Sequence, residues 1–440
     1  MDIIIILAVA SLGLYMSWNI GANDVANSMA DAVGSKAITV KQAVILAGIC
    51  EFAGAVLVGS HVTDTIRKGI VSPDAFSSLP NLMPGDAAAL LAIGMAAALL
   101  SASFFLHFSS YTGMPVSTTH SIVGAIAGIG IVAAGWNAVN WGKMMQIVAS
   151  WIISPIAGAI MAFIIFKFIS KAILGRENPA TAAITFTPII VFCVTAVVTI
   201  ATIYKGFKNV IGGLEWFTDN IALMTAGFLS VFAAIISRIL VKKRLSGKDH
   251  LSISKQLVEV EKVFTPLVVI SSCAVAFAHG ANDVANAVGP LAAVVHIFET
   301  GSVEMKVGVP FWILALGGGG IVFGLATFGY KVMHTVGTDI TEITPSRGVA
   351  ADLAATTTVL ICTRLKLPVS TTHTLVGAIM GIGLARGLGG INRSVTKKIF
   401  GAWFITVPAA AVVSILLFEA GRYYLFDIIK RIILIKLGSA

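Results

Sequence analysis

Residues 21–27 read G-A-N-D-V-A-N, and residues 280–286 read G-A-N-D-V-A-N again. Each copy is followed by P-V-S-T-T-H, at 115–120 and at 368–373. Trp151 recurs as Trp403 and Pro155 as Pro408, so the spacing between equivalent residues stays between 252 and 259 along the chain. The chain is therefore two related halves, and both polar heptads sit in strongly apolar surroundings. An Asp at the centre of a membrane helix costs about 2.5–3.5 kcal/mol on insertion scales. A polar motif carried twice at that cost is the first place to look for chemistry.

Composition fixes the solvent of the fold. Of 440 residues, 57% are hydrophobic and 12% are charged, and the mean hydropathy is +0.93. Soluble domains carry about 25% charged residues, so this is an integral membrane protein. The net charge of +9 reflects Lys and Arg in cytoplasmic loops and implies no nucleic-acid partner. Cys50, Cys193, Cys273 and Cys362 have neither metal-site nor redox spacing. The start, M-D-I-I-I-I-L-A-V-A, lacks a basic leader and reads as the first span.

Apolar runs at 3–20, 38–62, 87–106, 115–135, 143–170, 186–203, 220–242, 263–279, 309–333, 349–362, 368–385 and 396–418 supply the spans. They predict an all-α polytopic membrane protein of about twelve transmembrane helices in two inverted-topology repeats, with broken or re-entrant helices at the midplane. The first repeat covers 1–170 and linking helices cover 171–241. A polar, Lys-rich cytoplasmic connector covers 242–262, and the second repeat covers 263–420. Residues 421–440 form an amphipathic tail, read as an interfacial helix. An odd number of crossings before the connector inverts the second half and puts the N-terminus outside. The expected location is the cell (inner) membrane, multi-pass.

The two motifs call for different partners. On a helix, Asn23, Asp24 and Asn27 share one face, as do Asn282, Asp283 and Asn286. Their oxygens suit small cations, and Gly21 and Gly280 just before them permit a helix break or a close helix approach. P-V-S-T-T-H reads as a helix start, because Ser and Thr are good N-caps. Its free N–H groups and positive dipole end suit an anion. The hydroxyls of Ser117, Thr118, Thr119, Ser370, Thr371 and Thr372 add donors without charge. Gly124 and Gly128, like Gly377 and Gly381, follow as small-residue faces for tight helix contact. Together the sets favour a tetrahedral oxyanion with bridging Na+, and favour protonated phosphate over sulfate because it can donate to the carboxylates. Two carboxylates in the path argue against an anion channel. A membrane enzyme lacks a nucleophile–base or metal constellation, and the missing G-x-x-x-x-G-K-[ST] loop argues against an ATP-driven pump.

With both motifs present in both halves, the chain resembles the inorganic phosphate transporter (Pit) family, relatives of the type III sodium–phosphate cotransporters. The resemblance covers nearly the whole chain. It implies a secondary active symporter importing phosphate with Na+ by alternating access, without enzymatic activity and without a cofactor beyond the transported ion. H+-coupled carriage of phosphate, metal-phosphate or sulfate is the alternative. It places phosphate binding on Asp24, Asn27, Ser117, Thr118, Thr119, Asp283, Asn286, Ser370, Thr371 and Thr372. Na+ falls on Asn23, Asp24, Asn282 and Asp283. Glu51 matches an intramembrane acid of the family in the first half, where the second half offers G-G-G-G (317–320) and no acid. The partners expected are phosphate, Na+ and the bilayer, with a homo-oligomer compatible with the sequence. His120 and His373 are expected as hydrogen-bonded helix-start residues, and Trp151 and Trp403 as packing or interface anchors. Asp64 with Arg67, and Asp352 with Arg364, are expected as structural pairs.

Overall fold

The computed structural model of the chain describes residues 3–59, 70–71, 74–77, 79, 82–203, 215–303, 308–365 and 369–436. Asp64 and Arg67, and the Pro368 that opens the second P-V-S-T-T-H, lie outside them, as does the side chain of Arg364. Every regular element among the described residues is a helix. Nine are long and apolar enough to cross a membrane, from Ile4–Gly34 to Arg393–Ile435.

The first half opens with α1 (Ile3–Ile20), a π-helical turn (Gly21–Val25) and α2 (Ala26–Gly34). Then come α3 (Val40–Val58), α4 (Asp86–Tyr111), α5 (Thr118–Ala134) and α6 (Trp141–Ile169). Two linking helices, α7 (Pro179–Thr202) and α8 (Glu215–Leu245), lead to the connector. The second half runs α9 (Ile253–Asp283), α10 (Ala285–Thr300), α11 (Phe311–Phe328), a short α12 (Tyr330–His334), α13 (Pro345–Arg364), α14 (Thr371–Ala385) and α15 (Arg393–Lys436). Local chemistry sets these ends. At α3, Gln42 N–H donates to Thr39 Oγ1 (3.3 Å) while Thr39 N–H donates to Gln42 Oε1 (2.9 Å), a reciprocal capping box.

Three elements add to the sequence reading. The connector is mostly helical: its Lys, Glu, Gln and Leu are strong helix formers, and they extend α8 to Leu245 and start α9 at Ile253. Lys248 and Lys262 pair there with Glu259. Residues 421–436 continue α15 without a break. Gly280 interrupts nothing, because α9 runs through it to Asp283. Its use is close approach: a Cβ there would meet the Glu51 carbonyl oxygen of α3 at 2.3 Å.

That close contact is made twice. Gly21 faces the Ile321 carbonyl oxygen of α11 at 1.8 Å for a notional Cβ. Gly324 faces the Trp18 carbonyl oxygen, as Gly54 faces that of Phe277. So α1 packs on α11 as α9 packs on α3, each half lending a helix to the other. The same exchange holds behind the helix starts. Gly124 and Gly128 of α5 lie against Val407 and Ala411 of α15, and Gly377 and Gly381 of α14 lie against Pro155 and Ala159 of α6. Short backbone ties also recur: Asn140 N–H donates to Ile70 O (2.8 Å) and Asn392 N–H to Ile340 O (2.9 Å).

Candidate functional site

The helices α5 and α14 have 17 and 15 residues. At 1.5 Å per residue each is about 25 Å long or less, short of the roughly 30 Å hydrocarbon core. Both start deep inside the protein, with Ser117 and Ser370 each 3% exposed. Ser117 Oγ accepts from His120 N–H (3.3 Å) and Ser370 Oγ from His373 N–H (3.2 Å), so each serine caps its helix. Non-helical backbone at such depth is tolerated only where protein satisfies it. Asn23 does this for the first start: its Nδ2 donates to Met114 O (2.9 Å) and its Oδ1 accepts from Val116 N–H (3.0 Å). Its Nδ2 also donates to Ser110 Oγ (3.2 Å).

Asp24 joins the two halves. Its Oδ2 accepts from the Thr118 N–H (3.2 Å) and hydroxyl, and its Oδ1 accepts from the Thr372 hydroxyl (2.6 Å). Asn27 Nδ2 donates to the same Thr372 oxygen (3.3 Å). The reciprocal set is looser. Asp283 accepts from Thr371 (3.3 Å), Asn282 (3.2 Å) and Asn286 (3.3 Å), and Asn286 Nδ2 also donates to Thr119 across the halves (3.2 Å). Both Asp side chains are 3% exposed. The carboxylates thus hold the threonine hydroxyls in this conformation, and the cavity beside Asp24, Asn27, His279, Thr371 and Thr372 is about 40 Å³. The buried Oδ1 atoms of Asn27 and Asn286 have no hydrogen-bond partner among the described residues, two acceptors suited to a protonated oxyanion or a cation.

His279 is the residue that sequence reasoning missed. Its Nε2 lies 2.8 Å from Asp283 Oδ2 and its Nδ1 lies 3.1 Å from the Glu51 carboxylate. Asp24, His279 and Asp283 each present a ligand atom within 4.8 Å of the others. Glu51, fully buried on α3, therefore reaches the site through His279. A signal existed: His279 stands one helical turn before Asp283, where the first copy has Ile20. The equivalent positions in the other half are accordingly apolar: Ile20 and Ile321, both fully buried on α1 and α11.

Asp352 is bonded to serines of α9, and the side chain of Arg364, its expected partner, lies outside the described residues. Its Oδ2 accepts from Ser271 (2.6 Å) and Ser272 (2.9 Å). The ring of His373 is stacked on Trp403 and that of His120 lies tilted against Trp151, and it is their backbone N–H groups that serve the helix starts.

Comparison with known proteins agrees with this geometry. Residues 20–414 match the model of the phosphate transporter family. A phosphate permease homologue of Thermococcus kodakarensis is 47% identical over 408 residues, covering 93% of this chain and 95% of that protein. The chloroplastic inorganic phosphate transporter 2-1 of Arabidopsis thaliana is 39% identical over 430 residues, covering 92% of this chain and 70% of that one. A solved structure described as the sodium-dependent phosphate transporter is similar with a TM-score of 0.82 and 40% identity, covering 96% of this chain and all of that one. These relatives are transporters and not enzymes. A doubled, buried acid-and-threonine site in an all-helical membrane fold, matched over nearly its whole length, makes this chain a member of the phosphate transporter family.

Proposed function

We propose that the protein imports inorganic phosphate with Na+ by alternating access. The observation that carries this reading is the bridging of Asp24 between Thr118 of one half and Thr372 of the other. Phosphate would take the N–H and hydroxyl groups of Ser117 to Thr119 and of Ser370 to Thr372, and its one or two O–H groups would donate among the acceptor oxygens of Asp24, Asp283, Asn27 and Asn286. Na+ would neutralise the carboxylates that the threonines release, with oxygens from Asn23, Asp24, Asn282 and Asp283. Bridging cations are needed because an anion beside two buried carboxylates is repelled without them. The Na+ dependence of the structural relative supports the choice of ion.

The inverted arrangement belongs to the same proposal. The Ile70–Asn140 tie lies at the end where Asp86 pairs with Lys430 (2.7 Å). The Ile340–Asn392 tie lies near the connector, where Glu261 accepts from Ser346 N–H (2.8 Å). Equivalent ties at opposite ends support halves related by an axis in the membrane plane, about twelve crossings, and the repeat boundaries near 170 and 263.

One observation favours H+-coupled or metal-phosphate carriage as a second reading. An imidazole between two carboxylates, His279 between Asp283 and Glu51, is a proton-exchanging group and a ligand for transition metals more than for Na+. Uptake of radiolabelled phosphate into proteoliposomes, with a Na+ gradient and a pH gradient imposed separately, decides between them. The Na+ reading expects accumulation with Na+ alone. Accumulation driven by pH and indifferent to Na+ would reverse the assignment.

A further inference from the structure

Behind the two helix starts, four aromatic rings form a row that crosses from one half to the other. His120 of α5 and His373 of α14 meet edge to face, with centroids 4.7 Å apart and planes at 83°. Outward on one side, His373 lies flat on Trp403 of α15 at 3.7 Å and 18°. Outward on the other, His120 rests on Trp151 of α6 at 5.0 Å. His120, His373 and Trp403 are between 1% and 4% exposed and Trp151 is half-buried, so the row runs through the interior. Trp403 Nε1–H also donates to Pro115 O (2.9 Å), two residues before the Ser117 cap. A tryptophan of the second half therefore holds the approach to the helix start of the first.

Asp24 also joins the two starts, through Thr118 and Thr372, but in the phosphate reading the anion takes those hydroxyls, which leaves the spacing of the starts to these rings. Along their lengths α5 and α14 are clamped on other partners, at Gly124 against Val407 and at Gly377 against Pro155, where a Cβ would come within 2.6 and 2.3 Å of backbone oxygen. Where the two starts face each other, the His120–His373 pair stands between them. Each imidazole belongs to the residue whose N–H is tied to the capping serine. A change in ring packing thus moves the caps themselves. Packed interiors transmit such changes with little loss.

We infer that the Trp151–His120–His373–Trp403 row sets the distance between the two Ser-Thr-Thr helix starts, and so sets which tetrahedral oxyanion fits between them. His120 and His373 are in this account specificity-determining positioning residues: they touch neither anion nor cation and act through the caps. The inference rests on the phosphate reading above. It goes beyond that reading by assigning the choice between anions of like charge and different size to residues outside the binding shell.

The test compares uptake of phosphate with its inhibition by arsenate, which has the same charge and is larger, in proteoliposomes under an inward Na+ gradient. His373→Ala and His120→Ala should each raise the phosphate KM about tenfold, since misplacement of a bound group by about 1 Å is worth up to a hundredfold. Maximal rate and Na+ dependence should change little, and the preference for phosphate over arsenate should fall. The double variant should be little worse than either single one, because both remove the same contact. His373→Phe, which keeps a ring, should restore KM and preference. Trp403→Phe, which keeps the stack and loses the bond to Pro115, should raise KM with the fold intact, and so serves if an alanine variant does not fold. Wild-type KM and preference in His373→Ala, or a His373→Phe protein as impaired as His373→Ala, would overturn the inference. Wild-type vesicles that take up no phosphate would instead sink the phosphate reading and this inference with it.

Discussion

Asp24 and Asp283 occupy equivalent positions in sequence, yet their surroundings differ in a way that matters for the chemistry. Asp24 draws its donors from threonines of both halves, whereas Asp283 shares itself between its own asparagines, Thr371 and His279. The contact of His279 with Glu51 is fully enclosed, and the equivalent positions of the other half hold Ile20 and Ile321. Removing one partner of a buried pair is expected to cost about 3–5 kcal/mol, because the other is left uncompensated. Glu51→Ile and His279→Ile should therefore each lower the unfolding temperature of the purified protein clearly. The double variant copies the apolar residues at the equivalent positions of the other half, so it should recover most of the stability while losing phosphate uptake. A double variant no more stable than the single ones would remove the equivalence between the two sets of positions. The asparagine and aspartate positions were legible from the heptads alone. His279 was not, since its polarity appears in only one copy and the doubled pattern hides it.

At the scale of elements, the glycines separate close packing from open surface. A Cβ on Gly21 would fall 1.8 Å from backbone oxygen of α11, and backbone cannot swing aside as a side chain can. Gly227 in α8 has nothing within 4 Å. Gly21→Ala should then destabilise by about 1–3 kcal/mol through overpacking. Gly227→Ala should be neutral or stabilise by up to about 1 kcal/mol through helix propensity. Thermal unfolding in detergent reads both, and equal effects would contradict the assigned contact. The helix starts and the Gly-x-x-x-Gly faces could be read ahead, because capping and small-residue packing are local. Which helix each face meets could not. The exchange of α5 onto α15 and of α14 onto α6 is a long-range choice that only the assembled fold displays. The backbone of the connector was a separate matter from its polarity: the polarity marks exposure to water, and its helix formers decide that most of it is helical.

For the whole molecule, the proposed inverted arrangement predicts a definite sidedness. In a cysteine-free background, Ser246→Cys in the connector should react only with reagents reaching the cytoplasmic side. Asn137→Cys, in the turn between α5 and α6, should react from outside. Labelling of both from one side would contradict the inversion. The duplication visible in the sequence announced two half-sites, and the fold brings Thr118 and Thr372 to one carboxylate. The central claim is that both acids belong to one coupled site. Asp24→Asn and Asp283→Asn keep the size of the side chain while removing the charge proposed to hold Na+ and exchanging one acceptor oxygen for an NH2 donor. Radiolabelled phosphate uptake under an inward Na+ gradient, measured for both variants beside the wild type, tests it most directly. Uptake at background level in both is the predicted result, and near-normal Na+-driven uptake in either would contradict it.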